Sequence, residues 1–391
     1  MEAARRLHVD LVVAAEKPNT LAAALPDHLL TLPFDDPATA AALMEEYART
    51  RPIAAVVPVD DATTVVGAAI GKALGLRANA PAAVRATRDK QAMREALARA
   101  GVPQPGFVVA SAADDPRGAA ARVRYPCVLK PLVLSASRGV IRANTEAELV
   151  GAWERISAIL AEPDVQALGE GARKILIEDF VPGIEVALEG MLTDGSLTTL
   201  AIFDKPDPLD GPFFEETIYV TPSRLAEPAQ QAIADCAARA ARGLGLTDGP
   251  VHVELRLDER GPWLIELAAR SIGGLCSRTL TFGTGMSLEE IIVRHALGWP
   301  IASLVREGRA AGVMMIPIPR GGVLERVDGL EAARAVLGID EVTISMHPGQ
   351  RIVPLPEGSA YLGFIFSRAA TPAEAEASLR RAHALLDFVV S

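Results

Sequence analysis

The apolar and polar positions of this chain alternate between two periods. Residues 8–15, HVDLVVAA, form an apolar run of strand type, and residues 38–50 carry apolar positions at helical spacing. Residues 53–59 are a second β-branched run, closed by Asp60 and Asp61, and residues 62–75 return to helical spacing. Strands alternating with helices predict an α/β unit with a parallel sheet over residues 1–86. A second unit begins near Thr87. Residues 88–100, RDKQAMREALARA, predict a helix capped by Thr87 and stopped by Gly101, with Pro103 and Pro105 preventing a restart.

From there the pattern is α+β. A buried-type strand, YPCVLKP, ends on Lys130 and Pro131, and Thr145 with Glu148 forms a capping box that opens a helix. The strands KILIEDFV and EVALEGML follow, and Asp194-Gly195 turns the second into LTTLAIF. Residues 252–270, HVELRLDERGPWLIELAAR, read as a hairpin with turn chemistry at Asp258-Glu259-Arg260-Gly261. Ser287 and Glu290 cap a helix that ends near Leu297. After Pro300 come short strands, GVMMIPIP, VLERV, VTISMH and YLGFIFSRA, and Thr371, Pro372 and Glu374 start a last helix, TPAEAEASLRRAHALLDF.

Composition narrows the classes. The chain has 391 residues, half of them hydrophobic, enough for two or three domains with ample core. A net charge of −10 and the lack of a clustered basic run argue against a nucleic-acid partner. Three cysteines without CxxC spacing suit a reducing cytoplasm and argue against a disulfide framework or a zinc site. The apolar run LVVAA is too short for a signal peptide or a membrane span.

The candidate chemistry lies in a few places. Antiparallel pairing across the 252–270 hairpin brings Glu254 and Glu266 side by side, where two acids repel each other unless solvated or bridged by a cation. A Mg²⁺ ion with one or two carboxylates and substrate phosphates fits that pair; exposed acids on an amphipathic hairpin are the alternative. Lys130, followed by a loop of small residues through Ser135, Ser137, Arg138 and Gly139, is phosphate-binding chemistry without the GxxxxGK[ST] pattern. Lys90 opposes the dipole of its helix, which leaves either a solvated amine or a ligand contact. Asp60 and Asp61 stand either as a helix start or at a ligand crevice. His252 shares a strand face with Glu254, as a substrate contact or a structural histidine. The segment 204–224, with Lys205, Glu215 and Glu216, reads as a loop lining an acceptor site or simply a solvated one. Gly273 and Gly274 follow Arg270 and could admit a substrate carboxylate to backbone amides, whereas Cys276 reads as packing.

In order, these motifs are Asp89-Lys90, VLKP with Lys130, the small-residue loop, Glu178-Asp179-Phe180-Val181-Pro182-Gly183-Ile184-Glu185, and Glu254 followed by Glu266. The set resembles the ATP-grasp superfamily over roughly residues 7–390. The resemblance implies an ATP-grasp fold. Its parts are a Rossmann-like N-terminal domain (1–86), a two-subdomain ATP-clamping core (87–300, with a small subdomain about 108–181) and a C-terminal β-rich region with a final helix (301–391). It also implies ATP and Mg²⁺ (or Mn²⁺) as cofactors. Lys90 and Lys130 would hold phosphates, Glu178, Asp179, Phe180 and Val181 would read adenine, and Glu185 would bind ribose. Glu254 and Glu266 would bind metal, and the loop with Ser135, Ser137, Arg138 and Gly139 would close over the γ-phosphate.

One departure carries information. Many ATP-grasp enzymes have asparagine two residues past the second metal glutamate, where this chain has Ala268. The pattern IELAAR with Arg270 resembles the carboxylate–amine and L-amino acid ligases, including bacilysin-type dipeptide ligases, in which that arginine meets the substrate carboxylate or acyl-phosphate. The implied function is an ATP-dependent carboxylate–amine ligase acting through an acyl-phosphate. Its partners would be small-molecule carboxylates and amines, amino acids among them, with no nucleic acid or membrane and with a homodimer left open. Two alternatives remain: a biotin-carboxylase-like or other carboxylate-activating enzyme, and a nucleotide-binding regulatory protein without turnover. Retention of both lysines and both glutamates argues against the last.

Overall fold

The predicted hairpin forms one edge of the largest sheet. Its two strands are Gly249–Asp258 and Gly261–Ala268, and the turn between them is held by Asp258, whose carboxylate accepts from the Arg260 amide (2.8 Å) and Trp263 Nε1 (3.0 Å). In a computed structural model of the chain, which describes residues 1–17 and 29–391, this hairpin opens an eight-stranded antiparallel sheet. Inward from it lie Ile184–Thr193, Ser196–Lys205, Ile218–Thr221, Ala310–Ile316, Gly363–Ala369 and Ile339–Ile344. Three strands of the β-rich C-terminal part therefore continue the same sheet, while Arg351–Ile352, Gly322–Asp328 and Asp387–Val390 form a three-stranded sheet of their own. Apolar side chains on one face, among them Val186, Leu188, Val251 and Leu255, bury against the helix Glu227–Leu244, whose own inward stripe is Ile233, Ala237, Ala240 and Leu244.

A second, four-stranded sheet has the order Phe107–Ser111, Lys174–Asp179, Cys127–Pro131, Ile141–Ala143. The helix Glu146–Leu160 covers one face through Leu149, Trp153 and Ile156, giving this unit its own core. Thr145 caps that helix, its hydroxyl accepting from the Glu148 amide, but the reciprocal half of the expected capping box does not form, because the Glu148 carboxylate accepts from the Asn144 amide instead. The two sheets face each other across a cleft, and segment 180–183 is the link between them.

Several elements differ from expectation. Residues 53–59 make no ladder; among the described residues the N-terminal parallel sheet consists of Val13–Ala15 and Leu29–Thr31. The helices Pro37–Ala48 and Asp61–Ala73 form as predicted, and Asp60 with Thr63 makes a reciprocal capping box. The helix expected over 88–100 begins at Lys90. Asp89 is its cap, accepting from the Ala92 amide, while Thr87 lies in the last turn of the preceding helix Pro81–Arg88 and donates to the Val84 carbonyl. The last helix, Pro372–His383, has its predicted capping box but stops early. Asp387–Val390 becomes a strand against Gly322–Asp328, because the β-branched pair Val389–Val390 buries better in a ladder than in a frayed helix end. Among the described residues no helix is long and apolar enough to cross a membrane.

Candidate active site

The cleft between the two sheets spans about 700 Å³ of empty space, counting the part open to solvent. Basic groups come from one side. Lys90 occupies the first position of its helix, and its Nζ reaches out to donate to the Leu134 carbonyl (2.6 Å), 3.8 Å from Glu266 Oε1. That reach explains a cation placed at the unfavourable end of a helix. Lys130 extends from the strand Cys127–Pro131, and its Nζ lies 2.7 Å from Glu178 Oε2. The other oxygen of Glu178 accepts from Arg94 Nε at 2.5 Å, and Arg94 also donates to the Ile265 carbonyl at 2.6 Å. Burial alone would raise the Glu178 pKa, but the Arg94 and Lys130 charges override it and hold the carboxyl at about 2.

The acids come from the large sheet. Glu254 and Glu266 are direct cross-strand partners, as the hairpin predicts. Their carboxylates nevertheless diverge. Glu266 faces Lys90, whereas Glu254 joins Glu185 and Glu216, the three offering oxygens within 4.8 Å of one another. Lys205 is buried beside them. Its Nζ lies 2.8 Å from Glu185 Oε1 and 3.8 Å from Glu254 Oε1, and it donates to Glu216 Oε1 at closer range. Burial opposes the Lys205 charge, yet the three carboxylates raise its pKa well above the ordinary value. Burial would raise the Glu254 pKa, but Lys205 and His252 hold it well below the carboxylate range; Glu216 is raised, chiefly by burial. A set of clustered carboxylate oxygens in a cleft is the donor chemistry that a hard divalent cation such as Mg²⁺ takes, so these residues fit that ion.

The 204–224 segment is thus divided. Lys205 and Glu216, expected in an acceptor loop, belong to this cluster, because Lys205 ends one strand and Glu216 precedes the next. Glu215 does not line the cleft; it is half-buried, and burial raises its pKa. Glu185 lines the cleft as expected, with Phe180 and Val181 beside it. Phe180 lies between two guanidinium groups, Arg142 at 4.0 Å and Arg256 at 5.0 Å from its ring centre. The Asp179 and Phe180 amides are used inside the fold, donating to the Gly106 and Pro126 carbonyls.

Loop residues 135–137 line the cleft, with Ala136 and Ser137 in the left-handed region at φ 52° and 56°. Arg138 and Gly139, expected to close over phosphate, point elsewhere. Arg138 donates to Glu162 Oε2 (2.5 Å) and to the Glu357 carbonyl (2.9 Å). The Gly139 amide donates to the Pro356 carbonyl at 2.8 Å, and a Cβ there would meet Pro131 at 2.6 Å. Close packing of the loop base on Pro131 accounts for this glycine.

His252 shares the Glu254 face. Its Nδ1 is 2.5 Å from Glu189 Oε1 and its Nε2 is 3.4 Å from Glu254 Oε1. Burial opposes its charge, but the Glu189 and Glu254 carboxylates push the pKa up to about 9. Arg270 is held by Asp61 in a two-point ion pair, Nε–Oδ1 2.8 Å and Nη2–Oδ2 2.9 Å, and also donates to the Ser271 carbonyl. Of the Asp60-Asp61 pair, one is therefore a helix cap and the other binds Arg270. Gly273 lies near Arg270, while a side chain at Gly274 would run into the Phe364 ring at 3.1 Å. Cys276 is buried and its thiol pKa is raised by burial, consistent with packing. Sequence reasoning missed Arg94, Glu189 and the Asp61–Arg270 contact. The available signal for Arg94 was an arginine on the apolar face of its helix.

Three family models match the chain in order. Residues 1–77 match the ATP-grasp N-terminal domain, residues 123–279 the ATP-grasp domain, and residues 314–391 the L-amino acid ligase C-terminal domain 2. The chain belongs to the ATP-grasp superfamily. Within it, the L-amino acid ligase of Bacillus licheniformis has a crystal structure that superposes with a TM-score of 0.85 at 28% identity, covering 100% of this chain and 95% of that one. The alanine–anticapsin ligase of Bacillus subtilis is 32% identical over 51% of this chain and 44% of its own length, so the matched region spans less than half of that ligase. An uncharacterized protein of Sinorhizobium fredii is 27% identical over 100% of this chain and 80% of its own length.

Proposed function

We propose that the protein is an ATP-dependent carboxylate–amine ligase of the L-amino acid ligase type. The observation that carries this reading is the facing of Lys90 and Lys130 with the opposed Glu254–Glu266 pair in one cleft, with Arg270 four residues beyond Glu266. The division of labour follows the chain: a Rossmann-like part over 1–86, an ATP-clamping core over 87–300 and a C-terminal part over 301–391. Lys90 and Lys130 hold the ATP phosphates, and the 135–137 loop covers them. With the Asp179 and Phe180 amides already bonded, base reading by backbone falls to Val181, and Glu185 binds ribose. Glu254, with Glu266 or with Glu185 and Glu216, holds Mg²⁺, which when bound neutralises charge on the phosphate oxygens.

A substrate carboxylate oxygen attacks the γ-phosphorus, ADP leaves, and an acyl-phosphate results. The neutral amine then attacks the acyl carbon, phosphate leaves with the C–O bond pair, and the nitrogen gives up one proton to the departing phosphate or to water. Positioning and charge neutralisation by Lys130 and Arg270 supply most of the acceleration. The relatives' names support amino acids as the substrate class, one of them being an alanine ligase and another an L-amino acid ligase. The test is phosphate release with pooled L-amino acids. ADP and phosphate are expected only when a carboxylate substrate is present, with no bicarbonate requirement. AMP production, or strict bicarbonate dependence, would assign a different ATP-grasp reaction.

A further inference from the structure

We propose that Asp207 and Arg380 are positioning residues, through which the last helix sets the spacing of Lys205 and Glu216 in the cleft. The inference deepens the ligase reading and rests on that cleft being the active site. Lys205 and Glu216 are bonded to each other across an irregular loop. The strands on either side of that loop give them little support. The ladder between Ser196–Lys205 and Ile218–Thr221 holds a single matched position, Asp204 with Val220. One matched position leaves the register of the two strands weakly fixed at the point where it sets the acid cluster.

Side chains supply the missing constraint. The Thr217 hydroxyl, next to Glu216, donates to the Asp207 carboxylate, two residues past Lys205, and closes the base of the loop. The other oxygen of Asp207 accepts from Arg380 Nη2 at 2.6 Å. Arg380 is held in turn by Glu376, one helical turn earlier, through Nε at 3.0 Å and Nη2 at 2.8 Å. The second Glu376 oxygen accepts from Arg224 Nη1 at 2.8 Å, and Arg224 Nε donates to Asp204 at 2.8 Å. The chain of ion pairs therefore leaves the strand end at Asp204, crosses the helix Pro372–His383 and returns at Asp207, with Lys205 between its two ends. An isolated exposed ion pair contributes little, but charges linked in a network can hold a geometry. Glu216 is fixed from the same base, because its neighbour Thr217 also accepts the Met315 amide at 2.7 Å. Asp207 and Arg380 do not line the cleft, so they act through Lys205 and Glu216.

The experiment compares Arg380→Met, Asp207→Asn and the conservative Arg380→Lys in the full chain. Amide hydrogen exchange without any ligand reads the constraint itself. Segment 206–217 is expected to exchange about tenfold faster or more in Arg380→Met and Asp207→Asn, and at nearly the wild-type rate in Arg380→Lys. Phosphate release with pooled L-amino acids reads the consequence. In Arg380→Met, kcat/KM for the pool is expected to fall about tenfold or more, with most of it restored in Arg380→Lys. Affinity for the β,γ-methylene analogue of ATP is expected to stay within about threefold by calorimetry, because Lys90 and Lys130 stand on the opposite wall. Melting temperatures are expected within about 3 °C of wild type, since the Arg380 and Asp207 side chains are 44% and 31% exposed. Unchanged exchange over 206–217, or wild-type kcat/KM, in Arg380→Met overturns the proposal. So does a larger drop in melting temperature, which makes the pair merely structural. A wild type that releases no phosphate with the amino-acid pool overturns the ligase reading instead, and the exchange rates then decide the constraint on their own.

Discussion

Replacing Glu178 by glutamine perturbs the group that holds both Lys130 and Arg94. The Arg94 side chain is 1% exposed, so the variant leaves a buried guanidinium without its counter-charge. Breaking a buried pair from one side costs about 3–5 kcal/mol. The titration gives a second route to the magnitude. A carboxyl moved from 4.5 to about 2 by folding contributes about 3 kcal/mol of stability. Its folded pKa is depressed, so the contribution is complete above about pH 4.5 and is lost as pH falls towards 2. Urea unfolding of the wild type and Glu178→Gln at pH 7, 5 and 3 tests both routes. At pH 7 the variant is expected to be less stable by about 3 kcal/mol or more. The gap is expected to narrow as pH falls, because the wild type loses what the variant never had. Equal stability at pH 7, or parallel curves down to pH 3, would refute the assignment of Glu178 as the shared counter-ion. The same variant is expected to bind ATP more weakly, since Lys130 loses the contact that aims it.

Three further outcomes are expected. Glu266→Gln keeps the fold but lowers turnover by about two orders of magnitude or more, measured as phosphate release; near-wild-type turnover sinks the role of the hairpin pair. Arg270→Lys and Asp61→Asn each raise the carboxylate KM by about tenfold or more while ATP affinity by calorimetry is nearly unchanged, because the first loses the fork and the second loses what orients it; a collapse of ATP binding with unchanged carboxylate KM would place Arg270 in the nucleotide site. Gly183→Ala lowers the melting temperature sharply, by about 3 kcal/mol or more of stability, because Gly183 has φ +101° and an added Cβ would lie 1.8 Å from the Leu257 carbonyl oxygen; an unchanged melting curve contradicts that packing.

The sequence by itself determined the local architecture and the order of the motifs. The 258–261 turn and the strand period brought Glu254 and Glu266 to the same region of the hairpin, since both signals act over neighbouring residues. The register set by that turn would oppose Glu254 to Ile265; a β-bulge between Glu254 and Leu255 makes Glu266 the direct partner. The capping boxes at Asp60, Ser287 and Thr371 are likewise short-range hydrogen bonds, and the first of these was visible only as an acidic pair. Lys130 at a strand end was legible for the same reason. What each side chain meets was decided by the tertiary structure. Arg94 finds Glu178 across 84 residues and Arg270 finds Asp61 across 209, pairings that exist only once the layers stack. Lys205 and Glu216 read as loop residues because their loop is rich in proline and glycine, but the strands on either side fold them back into the cleft. Arg138 and Gly139 turn away from the cleft because segment 356–357, more than 200 residues later, offers them carbonyls. Period and turn chemistry fix which face a side chain leaves from; the partner waiting on that face is set by packing between distant elements, which local pattern does not encode.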